Sequence, residues 1–212
     1  MFREIEIEKW NRKTTFEFFR NFENPFFNLT APVDATNLYQ FCKKHKLSFA
    51  LVSLFYSIKT ANEIPEFRLR LVDEKLVQFD SIHATQTILN EDETFSFCYF
   101  ELKDNVFEFN EAGKKAVEKY KKLKTFDVES ERLDLIYYSV IPWISFTSFK
   151  NATRNDFSQT VPRIVFGKLF EENGKLKLPH SVEVHHSMMD GIHVGKYFNL
   201  LQQKLDDLAS NL

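Results

Sequence analysis

The sequence predicts an α/β fold with a mixed sheet in a single domain, on three observations. Stretches of helical periodicity are interleaved with short β-rich runs, without a strict βαβ rhythm. The 212 residues suit one compact unit with a sizeable core of its own. Five Gly and six Pro leave little material for flexible connections, and no repeat or low-complexity stretch divides the chain.

The elements follow in order. Ile5 and Ile7 alternate with Glu4, Glu6 and Glu8 as an edge strand would. Thr14 or Thr15 is placed to cap a helix carrying Phe16, Phe19 and Phe22, and Phe26 to Val33 reads as a second strand. Asp34 is a cap for a helix through Lys46 with Leu38, Phe41 and Cys42 inward. Ser48 caps another through Asn62 with Leu51, Leu54, Phe55 and Ile58 inward, and Pro65 stops it from running on. From Phe67 to Leu102 the runs FRLRLV, KLVQFD, HATQTIL and TFSFCYFEL read as strands, with Asp73-Glu74 as a hairpin turn. A helix from about Asn110 to Lys124 comes next, then a strand LDLIYYSVI and an irregular aromatic segment PWISFTSFK. A hairpin of RIVFGKLF and KLKLP turns through Asn173-Gly174. The final strand HSVEVHH leads through Gly191 into a helix to about Leu208.

Composition narrows the function classes. The formal charge of -2 comes from 28 basic and 30 acidic residues mixed along the chain, so no strong field gathers phosphate backbones, and nucleic acid is not an expected partner. The six Lys between Lys114 and Lys124 fall at helical spacing with Ala116, Val117 and Tyr120, the pattern of a solvated helix face. Cys42 and Cys98 stand outside any CxxC or Cys/His ligand spacing and are expected as reduced, buried thiols. The N-terminus MFREIEIEKW is too charged for a signal peptide, and no apolar run approaches the ~20 residues that span a bilayer. A cytoplasmic protein without a membrane partner is the expectation. The 24 Phe are far above ordinary usage and call for aromatic-lined cores or pockets.

The segment richest in chemistry is His185-His186-Ser187-Met188-Met189-Asp190-Gly191, at the end of the last strand. Neighbouring side chains on a strand point to opposite faces, so one histidine is expected to be chemical and the other structural. Read alone, the pair also fits a satisfied core or surface pair, and Asp190-Gly191 fits ordinary helix-cap chemistry. A zinc site lacks the further ligands it needs at any recognisable spacing, so no metal is expected.

With this motif in view, VEVHHSMMDGIHVGKYFNLLQ resembles the C-terminal signature of the chloramphenicol acetyltransferase family, within the wider HHxxxDG group of CoA-dependent acyltransferases. WNRK at Trp10 to Lys13, IPEFRLR at Ile64 to Arg70, DETFSF at Asp92 to Phe97 and YSVIPWISFTSF at Tyr138 to Phe149 resemble family segments in the same order. The likeness covers essentially the whole chain. It implies a two-layer sandwich with a mostly antiparallel mixed sheet, and direct acetyl transfer from acetyl-CoA, a co-substrate with no bound cofactor, to the primary hydroxyl of chloramphenicol.

The resemblance also implies roles. His186 would be the general base and Ser139 the hydroxyl that stabilises the oxyanion. Asp190 would pair with Arg12 to hold the loop carrying His186. Trp143 and Lys168 match positions near coenzyme A; Phe19, Phe27, Phe95 and Phe97 match regions of the acceptor pocket. Two positions depart from the pattern: Val165 stands where the family commonly has a threonine, and Leu169 where it has an aromatic residue. Family members are homotrimers whose sites lie between subunits, so a homotrimer is implied here. Val165 keeps open a different hydroxylated acceptor, and a sequestering protein without turnover is the further alternative.

Overall fold

The computed structural model describes residues 1–123, 132–152 and 159–211. Ten strands and five helices follow one another as β1 (Phe2–Glu4), α1 (Lys13–Phe19), β2 (Phe26–Asp34), α2 (Thr36–His45), α3 (Phe49–Asn62), β3 (Leu69–Val72), β4 (Lys75–Phe79), β5 (His83–Leu89), β6 (Phe95–Phe100), α4 (Val106–Leu123), β7 (Leu135–Val140), β8 (Arg163–Phe166), β9 (Phe170–Glu172), β10 (Lys175–His185) and α5 (Gly191–Asp206) among the described residues. The main sheet runs β2-β10-β8-β7-β5-β6, with β9 beside β10. Among the described residues only the β5–β7 and β7–β8 pairs are parallel, so the sheet is mixed and mostly antiparallel. Strands β1, β4 and β3 form a second small sheet.

The faces of the main sheet differ. Val182 and Val184 of β10, Ile164 and Phe166 of β8, and Ile136 and Tyr138 of β7 join one apolar core with Leu38, Leu54, Ile58 and Leu201 of the helices. Alternation sends Ser181, Glu183, Arg163, Val165, Tyr137 and Ser139 to the opposite face. There Arg163 and Glu183 form an almost fully buried ion pair at 2.9 Å. On the helix side a polar chain crosses the core: Tyr197 joins its hydroxyl to His180 Nε2 at 2.9 Å and to Ser57 at 2.6 Å, and Ser57 reaches the Tyr138 hydroxyl at 2.9 Å. This chain ties α3, α5, β7 and β10 together.

Local chemistry explains most boundaries. The Ser48 hydroxyl accepts the Leu51 N–H, capping α3 as expected. Both turns fall where the sequence places them: Asp73 and Glu74 have φ of 46° and 64°, Asn173 and Gly174 of 52° and 73°. Several expectations change. The first strand is Phe2–Glu4, paired with β4, and Ile7 begins a short 3₁₀ turn, Ile7–Lys9. Helix α1 starts after Arg12, with no side-chain cap from Thr14 or Thr15, and ends before Phe22. Asp34 accepts both the N–H and the hydroxyl of Thr36 but stands one residue ahead of the cap position, Ala35. Phe67 lies in a 3₁₀ turn, Pro65–Arg68, rather than in a strand. Helix α4 begins a turn earlier than Asn110, and Lys124 lies outside the described residues.

RIVFGKLF is two strands, because the Gly167 N–H turns to Pro179 O and the Lys168 N–H to Ile144 O. KLKLP and HSVEVHH are one strand, since the pairing with β2 runs from Lys177 to His185 with Pro179 opposite Pro32. Cys42 and Cys98 are buried, and burial pushes both thiols up to about 12.

Candidate active site

Strand β10 delivers the histidine pair. Its last residue, His185, pairs with Phe26, and the next N–H, that of His186, bonds Pro25 O at 2.8 Å. Side-chain alternation then separates the two rings. His185 turns into the protein, where Ser187 reaches its Nδ1 through a hydroxyl at 2.7 Å and a backbone N–H at 3.3 Å. A backbone donor there requires the Nδ1 lone pair, so neutral His185 carries its proton on Nε2, which is buried without a hydrogen-bond partner among the described residues. Burial, helped by the nearby His186 and Arg163, lowers its pKa from 6.5 to about 4. It is neutral at pH 7.

His186 is about one-third exposed. Its ring stacks on Phe19 at 3.8 Å and 5° and leans on Phe27 at 4.6 Å. Its Nδ1 lies 3.2 Å from Asp190 Oδ1, off the line of a hydrogen bond but close enough to feel the charge. Arg12 grips Asp190 with both terminal nitrogens and donates to His186 O at 3.3 Å, so one guanidinium holds both the carboxylate and the backbone of His186. Burial opposes the charge on Asp190, but the hydrogen bonds and charge of Arg12, with His186 and His193 adding, hold its carboxyl below the usual range. At the start of α5 the Asp190 N–H donates to His193 Nδ1 at 2.9 Å, a bond the sequence reading did not foresee. Four other predicted site residues, Arg12, Asp190, Phe19 and Phe27, thus gather around His186.

The others gather elsewhere. Ser139 on β7 stands beside Val165 on β8, which stands beside Ser181 on β10, five positions before His186. At ~3.3 Å per residue along a strand and ~4.8 Å between strands, Ser139 and His186 are roughly 19 Å apart within one chain. Ser139 and His186 therefore do not meet on one carbonyl in a single copy. Val165 is buried with no hydroxyl to offer. Phe95 and Phe97 of β6 meet edge to face at 5.8 Å, next to β5 and on the Ser139 side of the sheet. Thr87 on β5, which the sequence reading passed over, has its hydroxyl 3.3 Å from that of Ser139. A strand threonine carries no local signal of such a partner.

Trp143 and Lys168 are exposed on two loops tied together by Lys168 N–H to Ile144 O and by the Ser145 hydroxyl to Lys168 O, both at 2.9 Å. Behind them an apolar cavity of about 230 Å³ lies among Phe49, Val140, Pro142, Phe166 and Leu169. Among the described residues no group of three His, Cys, Asp or Glu is placed to hold a metal ion, and no helix is long and apolar enough to cross a membrane.

A family profile described as "Chloramphenicol acetyltransferase" matches residues 1–202. A relative of that name from Escherichia coli is 31% identical over 204 residues, covering 96% of this chain and 93% of its own. Another, from Clostridium perfringens, is 32% identical over 213 residues, covering 99% and 95%. A solved chloramphenicol acetyltransferase superposes with a TM-score of 0.87 at 28% identity, covering 97% of this chain and all of its own. The cubic core of a pyruvate dehydrogenase complex shares the fold, at a TM-score of 0.66 and 16% identity. Sequence and fold agree, and the chain belongs to the chloramphenicol acetyltransferase family.

Proposed function

We propose that this protein transfers acetyl from acetyl-CoA to the primary hydroxyl of chloramphenicol, with His186 as the general base. The observation that carries the reading is the cradle of His186, a half-buried imidazole fixed against Phe19 and faced on one side by a carboxylate. Asp190 beside Nδ1 favours the proton there, which leaves the Nε2 lone pair to accept the acceptor's hydroxyl proton. The freed oxygen attacks the thioester carbonyl, forming the C–O bond and a tetrahedral oxyanion. Ser139 donates its O–H to that oxyanion. Collapse expels the CoA thiolate, and the imidazolium returns the proton to give the free thiol and the acetyl ester.

The separation of Ser139 from His186 supports a homotrimer in which the base of one copy faces the Ser139 strand of the next. Trp143 would then pack on the coenzyme and Lys168 face its phosphates, while Phe19, Phe27, Phe95 and Phe97 would form the acceptor's aromatic walls. A cytoplasmic location matches the supply of acetyl-CoA. Buried Val165, with no hydroxyl beside Ser139, favours a second reading, the same chemistry on another hydroxylated small molecule.

Thiol release from acetyl-CoA by the purified protein tests both. Release that depends on chloramphenicol and disappears in His186→Ala is the expected result. His186-dependent release only with other hydroxylated compounds would select the second reading, and no release with any acceptor would reject turnover.

A further inference from the structure

On the sheet face away from the helices, one row of side chains crosses five neighbouring strands. Pairing places Thr30 of β2 beside Ser181 of β10, Ser181 beside Val165 of β8, and Val165 beside Ser139 of β7. Thr87 of β5 continues the row, one step past the Gln86–Tyr138 pair. The Thr30 hydroxyl donates to Ser181 Oγ at 3.0 Å, and Thr87 and Ser139 join hydroxyls at 3.3 Å. Val165 is the one gap in an otherwise continuous line of hydroxyls. It cuts Ser139 off from the Ser181 cluster, leaving Thr87 as the single side chain hydrogen-bonded to Ser139 among the described residues.

We propose that Thr87 is a positioning residue that orients the Ser139 hydroxyl for the oxyanion; the inference rests on the reading of Ser139 as the oxyanion donor. A serine hydroxyl has one proton and two lone pairs. If Ser139 is to give its proton to the oxyanion, its bond with Thr87 must run the other way, with Thr87 Oγ1 donating to Ser139 Oγ. That direction fixes the Ser139 rotamer and polarises its O–H, since hydrogen bonds in series strengthen one another. Thr87 is β-branched and rotamerically stiff, so its hydroxyl is held in place by its own strand before any substrate arrives. On the other flank Val165 offers nothing that competes for the Ser139 proton.

The test uses Thr87→Val, which keeps the shape and strand preference and removes only the hydroxyl. Steady-state kinetics should show kcat lower by about fivefold, the order of one neutral hydrogen bond, with both KM values unchanged. Thr87→Ser should run close to the parent. Ser139→Ala should cost ~10²- to 10³-fold, and adding Thr87→Val to it should cost nothing more, because the two act as one unit. An unchanged kcat in Thr87→Val alongside a large loss in Ser139→Ala would overturn the proposal while leaving the oxyanion reading intact. An equal cost of Thr87→Val in both backgrounds would also overturn it. Ser139→Ala without loss would instead remove the oxyanion reading, and the role of Thr87 with it.

Discussion

His185 and His186 are consecutive residues of one strand end with opposite surroundings. The first is buried against Phe26 and Ser187, with its pKa lowered to about 4. The second is partly exposed, stacked on Phe19 and backed by the Asp190–Arg12 pair. The sequence makes the two side chains identical; the half-turn between neighbouring strand positions makes them different groups. The proposed base needs a reachable lone pair and a fixed ring, and of the two His186 is the one partly exposed and stacked on Phe19.

The largest expected effect breaks the pair apart functionally. His186→Ala should lower kcat by ~10²- to 10⁴-fold or more with little change in the unfolding midpoint. His185→Gln should do the reverse, lowering the thermal midpoint while turnover stays within a few-fold. The opposite pattern would exchange the two assignments.

Next comes the support behind the base. Arg12→Ala strips Asp190 of its partner and frees the backbone at His186, which should cost about 1–3 kcal/mol by denaturant unfolding, between an exposed and a buried ion pair. Turnover should fall as well, because the ring loses its fixed place. Unchanged activity would mean that Phe19 alone holds the imidazole.

A smaller and sharper distinction lies in pH. His180 and His185 have folded-state values of about 3 and about 4, each lowered from 6.5 by burial. Between those values and 6.5 the unfolded chain binds more protons than the folded one, so stability rises with pH across that window and is lost as pH falls through it. Asp190, also lowered, loses its stabilising charge on further acidification, in the same direction. Unfolding titrations at pH 7 and pH 4.5 should show the loss, and His185→Gln should flatten it. A slope unaltered in that variant would assign the acid sensitivity elsewhere. The smallest effect is Ser187→Ala, which removes one hydroxyl from His185 Nδ1 and should cost about 1 kcal/mol with turnover unchanged.

Much of the fold was legible because its signals are local. Ser48 caps α3 through a bond to its own third neighbour, and Asn173-Gly174 turns because both residues accept positive φ. Other elements were not local matters. Ile5 and Ile7 alternate as a strand does, yet the pairing with β4 ends at Glu4, and the chain turns to bring Arg12 under the histidine loop. Pro179 looked like a strand end, but the pairing with β2 carries the strand straight through it, opposite Pro32.

The sequence by itself determined the chemistry available: the histidine pair ending a strand, Asp190 and Arg12 as a matching charge pair, the hydroxyl of Ser139 and its absence at Val165. It determined these because they are identities and short spacings, except that the pairing of Arg12 with Asp190, 178 positions apart, came from the family resemblance alone. Tertiary structure alone decided which histidine is buried and that Thr87 is the partner of Ser139. It also decided that Ser139 and His186 lie roughly 19 Å apart on one sheet, two strands and five residues removed. Those relations depend on pairing between strands distant in sequence, and no local pattern encodes them.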